Sequence, residues 1–325
     1  MISRMKLKNV WAAGFLLVVI LCLILFGSEA YAQKLRRISV GSGGTGGALY
    51  PMFGAIAELV NSKITGVKMT VEVTAASVEN LRLARSGQIE FWAAGGDVTR
   101  KAVDGVKPFP FKFDKIRSCG WMHGSMTQFV TRKGSGIKSM YDLKGKKVGV
   151  GPPGSGAEET FRWILETHGM SYNDFHAYKL SYAEEVAAMQ DRRIDAAIFQ
   201  VGIPTSSIVD LTMSMEIELI PIGEKEAKIF TDKYPLFFYQ KIPAGTYKGQ
   251  TQDVMALNPL GAWGARIDVP EDLVYDVMKI VQDNLRQLAV VQVSFREWQF
   301  NPSVEKAAPL HAGAIKYYKE KGLLK

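Results

Sequence analysis

The sequence predicts an α/β protein built from two similar halves. Three observations carry this. A strand, a glycine-rich turn and a helix follow one another over residues 36–60, and again over residues 146–165. Around them, short β-branched runs alternate with segments whose apolar residues recur at helical spacing. The length of 325 residues, 47% of them hydrophobic and 22% charged, suits about two packed domains and excludes a disordered chain.

The elements follow in order. Arg36–Val40 reads as a strand, and Gly41-Ser42-Gly43-Gly44-Thr45-Gly46-Gly47 as the turn after it. Leu49, Phe53, Ile56, Ala57 and Val60 then mark one face of a helix. Val67–Val73 alternates as a strand. Ser77 is placed to cap a helix carrying Leu81 and Ala84, Ile89–Ala93 forms a third strand, and Asp97 caps the next helix. In the second half, Gln128–Thr131 and Lys146–Val150 are strands, and Gly151-Pro152-Pro153-Gly154-Ser155-Gly156 leads into a helix with Phe161, Ile164 and Leu165. A short helix over Ala183–Met189, a buried strand over Ala196–Phe199, a helix over Pro204–Leu211 and a strand over Ile217–Ile220 come next. The Pro- and Gly-rich stretch from Tyr234 to Gly249 reads as a connector. Asp268, Pro270 and two following acids start a helix whose stripe runs from Leu273 to Leu285, and Ala314–Lys321 is a last amphipathic helix. The likeness of the halves is one of architecture rather than a repeat in sequence.

Residues 1–32 have the pattern of a cleavable secretory signal: basic Arg4, Lys6 and Lys8, an apolar run from Val10 to Phe26, and Ala30-Tyr31-Ala32 as the cleavage site. The other reading is an uncleaved anchor, since the run is near the lower limit for spanning a bilayer. Cys22 lacks the small preceding residue of a lipidated cysteine. Cleavage removes three basic residues and one acidic residue, so the formal net charge of +8 falls to +6. It leaves Cys119 as the one cysteine, so no internal disulfide can form. The positive balance serves solubility, or attraction of small anions or an acidic membrane partner. No Lys/Arg cluster interleaved with aromatics marks a nucleic-acid partner.

The glycine turns carry the chemistry. Glycines let backbone approach a ligand, and the first N–H groups of the following helix point outward with the positive end of its dipole behind them. Such a turn binds phosphate or carboxylate, or is simply a tight strand-to-helix connection. Gly41–Gly46 also matches G-x-G-x-x-G, with Glu72 after the second strand as a ribose partner. Export argues against a nicotinamide enzyme. His123, His168, His176 and His311 show no metal-ligand spacing, Ser155 lacks the G-x-S-x-G context, and Cys119 has no base beside it in sequence. His168 sits at a helix end before Gly169. The reading is therefore a non-enzyme with no cofactor and no metal.

Several segments taken together resemble the TAXI family of TRAP-transporter solute-binding proteins. They are Val40–Gly47, Ser77-Val78-Glu79-Asn80-Leu81, Asp142–Val148, Gly151–Gly156, Ile242–Tyr247 and the helix start near Pro270. They occur in the family's order over essentially the whole exported chain. The resemblance implies a two-lobe periplasmic-binding-protein fold of type II kind, with the ligand held in a hinged cleft. It implies lobe 1 over residues 33–126 plus 254–325 and lobe 2 over 127–253, closing on a small organic acid. It also implies periplasmic localisation, monomeric behaviour and docking on the permease subunits of a TRAP transporter. The alternatives are a binding protein for an ATP-driven transporter or a sensor, or an exported enzyme.

Carried over residue by residue, the resemblance implies ligand contacts from Gly43, Gly44, Thr45 and Gly46, and from Ser155 and Gly156 across the cleft. Asn80 reaches the cleft or is a plain first-turn residue. Gln200 is a candidate polar contact or a structural one, and Tyr50 walls the pocket or packs in the core. One departure stands out. Gly95-Gly96-Asp97 replaces the family's Gln-Ser pair before the aspartate, with Trp92 in the preceding strand as an aromatic face or as core. A larger, less polar pocket beside Gly95 and Gly96 is expected, and a ligand bulkier than glutamate.

Overall fold

The computed structural model describes residues 35–325, so the signal-like segment lies outside the described residues. The chain forms two mixed five-stranded sheets flanked by helices and joined by a two-stranded hairpin. The first sheet contains β1 (Arg36–Gly41), β2 (Val67–Glu72), β3 (Phe91–Gly95), β4 (Ile116–Met122) and β12 (Gly261–Arg266), in the order β2-β1-β3-β12-β4. The second contains β5 (Met126–Arg132), β6 (Lys147–Gly149), β7 (His176–Tyr178), β8 (Ala196–Val201) and β9 (Ile217–Ile220), in the order β7-β6-β8-β5-β9. Each sheet has a parallel part and one antiparallel intruder, β12 in the first and β5 in the second. The hairpin is β10 (Phe237–Ile242) with β11 (Val254–Pro259).

The helices that matter for the site all start at the cleft. They are α1 (Leu49–Lys63), α2 (Ser77–Ser86) and α3 (Gly96–Asp104) in the first lobe, and α4 (Gly156–Thr167), α5 (Tyr182–Gln190) and α6 (Ser206–Ser214) in the second. Beyond them lie α7 (Glu224–Lys233), α8 (Glu271–Asp283), α9 (Leu285–Val291) and α10 (Ala312–Glu320). One core cluster fills the first lobe between α1, α8 and α10 through Phe53, Ile56, Trp263, Val277 and Tyr318. Another runs from Leu81 and Trp92 through Trp121 and Phe129 to Phe161 and Ile198, so it crosses from lobe to lobe. Burial of aromatic and aliphatic side chains at about 25 cal/mol per Å² is the main stabilising term for a chain without a disulfide.

The chain passes between the two five-stranded sheets twice, once directly and once by way of the hairpin. His123-Gly124-Ser125 joins β4 to β5, and Leu260 alone joins β11 to β12. The two crossings pack against each other. A Cβ on Gly261 would lie 2.6 Å from the His123 carbonyl, and one on Gly124 would overlap the Asn258 amide. Both positions therefore need glycine for close approach rather than for backbone freedom.

Several elements differ from the sequence reading, each for a physical reason. The stretch read as a connector contains β10, because six-residue pairing with β11 outweighs the flanking prolines, which lie at its ends. Ser77 is the first residue of α2 and does not cap it; Ala76 occupies the cap with φ 70. Asp97 lies inside the first turn of α3, whose cap is Gly95. Pro270 precedes α8, while the Asp268 carboxylate is taken by Arg266 at 2.8 Å. Leu285 begins a separate helix, α9. Strands β4, β7, β11 and β12 and helix α7 are additions to that reading.

Candidate functional site

A cavity of about 310 Å³ lies between the lobes and is bounded by both crossings. The segments that lead into α1, α2, α4 and α5 all reach its wall, through Ala48, Ser77, Gly156 and Tyr182 among others. The leading N–H groups of each helix lack an intrahelical partner, and the positive ends of four dipoles converge. The two glycine turns place two of these ends. Asn80 holds the first turn: its Nδ2 donates to the Gly41, Ser42 and Ala93 carbonyls at 3.0, 2.8 and 2.9 Å, and its Oδ1 accepts from Thr74 at 2.7 Å. In the second turn Ser155 caps α4, accepting from the Glu158 N–H at 3.0 Å.

Two hydroxyls are poised as donors. Ser77 Oγ accepts the Gly95 N–H at 3.1 Å, and Ser155 Oγ accepts the Glu158 N–H. In each case one lone pair is used and the O–H proton is left to point elsewhere. The lobes meet here. Glu79 N–H donates to the Gly154 carbonyl at 3.3 Å, and a Cβ on Gly156 would overlap Ser77 Oγ and stand 2.9 Å from Ser77 Cβ. A second meeting point is the Gly46 carbonyl, which accepts from Ser207 at 3.0 Å and Thr205 at 3.2 Å at the start of α6. The lobes are closed on each other.

Charged side chains are missing from the cavity wall among the described residues. The nearest candidates are neutral or engaged. His123 lines the cavity, is 1% exposed, and its Nδ1 has no hydrogen-bond partner among the described residues. Burial pushes its pKa down to about 4, so the ring is neutral. Glu185 lies beneath the second turn, where Oε1 accepts from the Gly151 N–H at 2.8 Å. Burial pushes its carboxyl pKa well above the usual range. Tyr182 exchanges hydrogen bonds with the Gln200 backbone at 3.2 Å, and burial raises its hydroxyl pKa. Gln200 donates from Nε2 to Thr160 at 2.9 Å and Thr127 at 3.3 Å, which leaves Oε1 as its open acceptor near Gly156.

Of the residues singled out in the sequence, Gly43, Gly44, Gly95, Ser155, Gly156 and Gln200 line the cavity. The other six lie elsewhere. Thr45 is exposed, and Gly46 turns its carbonyl to α6. Tyr50 is on the surface at 37% exposure. Asn80 lies behind the wall as the clamp just described. Gly96 is packed on Leu236, the Leu260 carbonyl and Trp121. Trp92 is fully buried with its indole over Gly264, where any Cβ would overlap it, and is part of the core. Ser77, His123 and Tyr182 also line the wall, and no local pattern marks them as ligand contacts. Cys119 is buried, its thiol pushed up by desolvation, and inert as a nucleophile.

The two lobes and the cleft between them define the fold of periplasmic binding proteins. Solved structures that share it include the following two. BugD, a periplasmic binding protein, matches at TM-score 0.56 and 11% identity, over 89% of this chain and 99% of that one. A protein of Bordetella bronchiseptica RB50 matches at TM-score 0.51 and 18% identity, over 85% and 81%. A Brucella abortus protein described as a binding protein is 42% identical over 62 residues, a stretch covering 19% of either chain. The chain belongs to the NMT1-like family, whose profile matches residues 40–322.

Proposed function

We propose that this protein is an extracytoplasmic solute-binding protein that closes its two lobes on a small organic acid and delivers it to a membrane transporter. The observation that carries the reading is the convergence of four helix N-termini and two poised hydroxyls, from both lobes, on one cavity. Helix N-termini stabilise an anion through N–H donors and dipoles together. Because each lobe supplies part of the set, the anion binds the closed state better than the open one, and this difference drives closure. The volume is at the small end of the ~300–1,000 Å³ of ligand pockets.

The lobes in this reading are residues 33–126 with 254–325, and residues 127–253, joined near His123–Ser125 and through the β10–β11 hairpin that spans the second boundary. Gly43, Gly44, Ser77, Ser155, Gly156 and Gln200 are the proposed contacts. The ordered motifs shared with TAXI proteins support a TRAP-type secondary transporter as the recipient.

Thermal unfolding in the presence of organic anions tests the binding role. A ligand that binds only the folded protein at a hundred times its Kd adds about 2.7 kcal/mol and raises the midpoint. Carboxylates should do this and their amides should not; equal shifts from both would remove the anion role of the cleft. Uptake by the protein reconstituted with its transporter separates the recipients. Dependence on a sodium gradient supports TRAP, and dependence on ATP assigns the chain to an ATP-driven system.

A further inference from the structure

We infer that the cleft selects a small monoanion with an uncharged, largely apolar body, and rejects amino acids. The inference rests on the solute-binding reading and narrows it from organic acids in general. Its ground is the charge inventory of a wall built from two lobes.

An α-amino acid brings a carboxylate and an ammonium within a few ångströms of each other. The cleft serves the first and opposes the second. Four helix N-termini make the cavity positive, which repels an ammonium as it attracts a carboxylate. Among the described residues, the wall holds neither Asp nor Glu to pair with it. Glu185 lies beneath the second turn and off the wall, with Oε1 taken by the Gly151 N–H and Oε2 unpartnered among the described residues. The Glu79 carboxylate is committed to the Ala75 N–H, and Glu158 to Arg162 at 2.9 Å and Lys179 at 2.7 Å. The carbonyls of Gly44 and Gly46 are already accepting, from Gly47 N–H at 3.0 Å and from the hydroxyls of α6. The acceptors left on the wall, Gln200 Oε1, the neutral His123 ring and serine hydroxyls, are all uncharged, so three N–H donors would meet no counter-charge. Burying an ammonium without a counter-charge is expensive.

Much of the remaining wall is apolar, through Leu49, Val73, Ala94, Met122, Val201 and Pro259, and its other polar members, Thr74, Ser125, Ser181 and Tyr182, are uncharged hydroxyl groups. His123 stands among them as a neutral, buried ring. A second carboxylate would find no cation there, so the body of the ligand is uncharged. A single carboxylate or sulfonate head on a branched or aromatic body fits every part of this inventory.

The test is isothermal titration of the full protein after unfolding and refolding to strip bound solute. Two sets share one side chain each. The first is 4-methylpentanoate, its 2-oxo and 2-hydroxy derivatives, 3-methylbutane-1-sulfonate and leucine. The second is 3-phenylpropanoate, phenylpyruvate and phenylalanine. Glutamate is the doubly charged control. The inference expects the tightest ammonium-free monoanion to bind at least tenfold more tightly than its amino acid and than glutamate. Leucine, phenylalanine or glutamate binding as tightly as the ammonium-free acids would overturn it while leaving the solute-binding reading intact. Absence of binding by every anion would overturn both.

Discussion

At the scale of single residues, closure depends on what is absent at position 156. Gly156 is the first residue of α4, and a methyl group there would run into Ser77 of the opposite lobe. Its backbone does not need glycine, since its φ is not in the left-handed region. Gly156→Ala should therefore fold normally and bind poorly. Overpacking of this kind costs about 1–3 kcal/mol, or roughly 5- to 150-fold in Kd, with the ligand-free melting temperature nearly unchanged. Ser77→Gly in the same chain makes room and should recover part of the loss, although it removes one hydroxyl donor. Additive losses in the double variant would show that the two residues do not meet during binding. Ser155→Ala removes a donor without adding bulk and should weaken binding by about 0.5–1.5 kcal/mol, more if the bond is charge-assisted; unchanged affinity in the titration would take Ser155 out of the site.

At the scale of elements, the start of α6 acts as a latch on the first glycine turn. Thr205 and Ser207 direct hydroxyls to the Gly46 carbonyl, and Thr205, although at the cap position, makes no side-chain capping bond. Its hydroxyl is thus free for contact between lobes. Thr205→Ala with Ser207→Ala should destabilise the closed state by about 1–2 kcal/mol, at about 0.5–1.5 kcal/mol per hydrogen bond. At a ligand concentration near the parent's Kd, the variant should show a larger radius of gyration than the parent in solution scattering, and affinity should drop by about tenfold. Unaltered scattering and affinity would mean that closure is held elsewhere. This latch was not legible in the sequence, and the reason is general. Strand-turn-helix units such as β1-turn-α1 and β6-turn-α4 announce themselves through local periodicity and glycine, and the six cavity residues among those singled out lie in or beside such local patterns. Strand β12, Gly-Ala-Trp-Gly-Ala-Arg, has weak strand propensity and exists because Trp92 and the Arg117 carbonyl close over Gly264. His123 lines the cavity because β4 crosses to β5 there, and Ser77 because two lobes meet. Such positions are set by tertiary path and leave no local signal.

At the scale of the whole molecule, stability should carry two opposed pH dependences from groups buried in different parts of the fold. Asp97 lies in the first turn of α3, 8% exposed, with Oδ2 unpartnered among the described residues. Burial raises its pKa from 3.8 to about 6, against a hydrogen bond from the Leu236 N–H and the charge of Lys101. The folded state then holds a proton that the unfolded chain releases. The stability tied to that proton is complete below about pH 3.8 and is lost as pH rises through about 6, a change of roughly 3 kcal/mol at 1.36 kcal/mol per unit. Glu185 contributes in the same sense. His123 works the other way. Its pKa falls from 6.5 to about 4, so its contribution is complete above about pH 6.5 and is lost as pH falls towards 4. Between pH 4 and 6 the Asp97 and His123 terms offset each other, and removing one exposes the other. Asp97→Asn eliminates the term that weakens the fold at neutral pH. Urea unfolding should show Asp97→Asn raising stability over the parent by about 2 kcal/mol more at pH 7 than at pH 4.5. An equal increment at both pH values would mean that the Asp97 carboxyl titrates as it does in water, and that the α3 N-terminus and the Leu236 N–H compensate its burial in full.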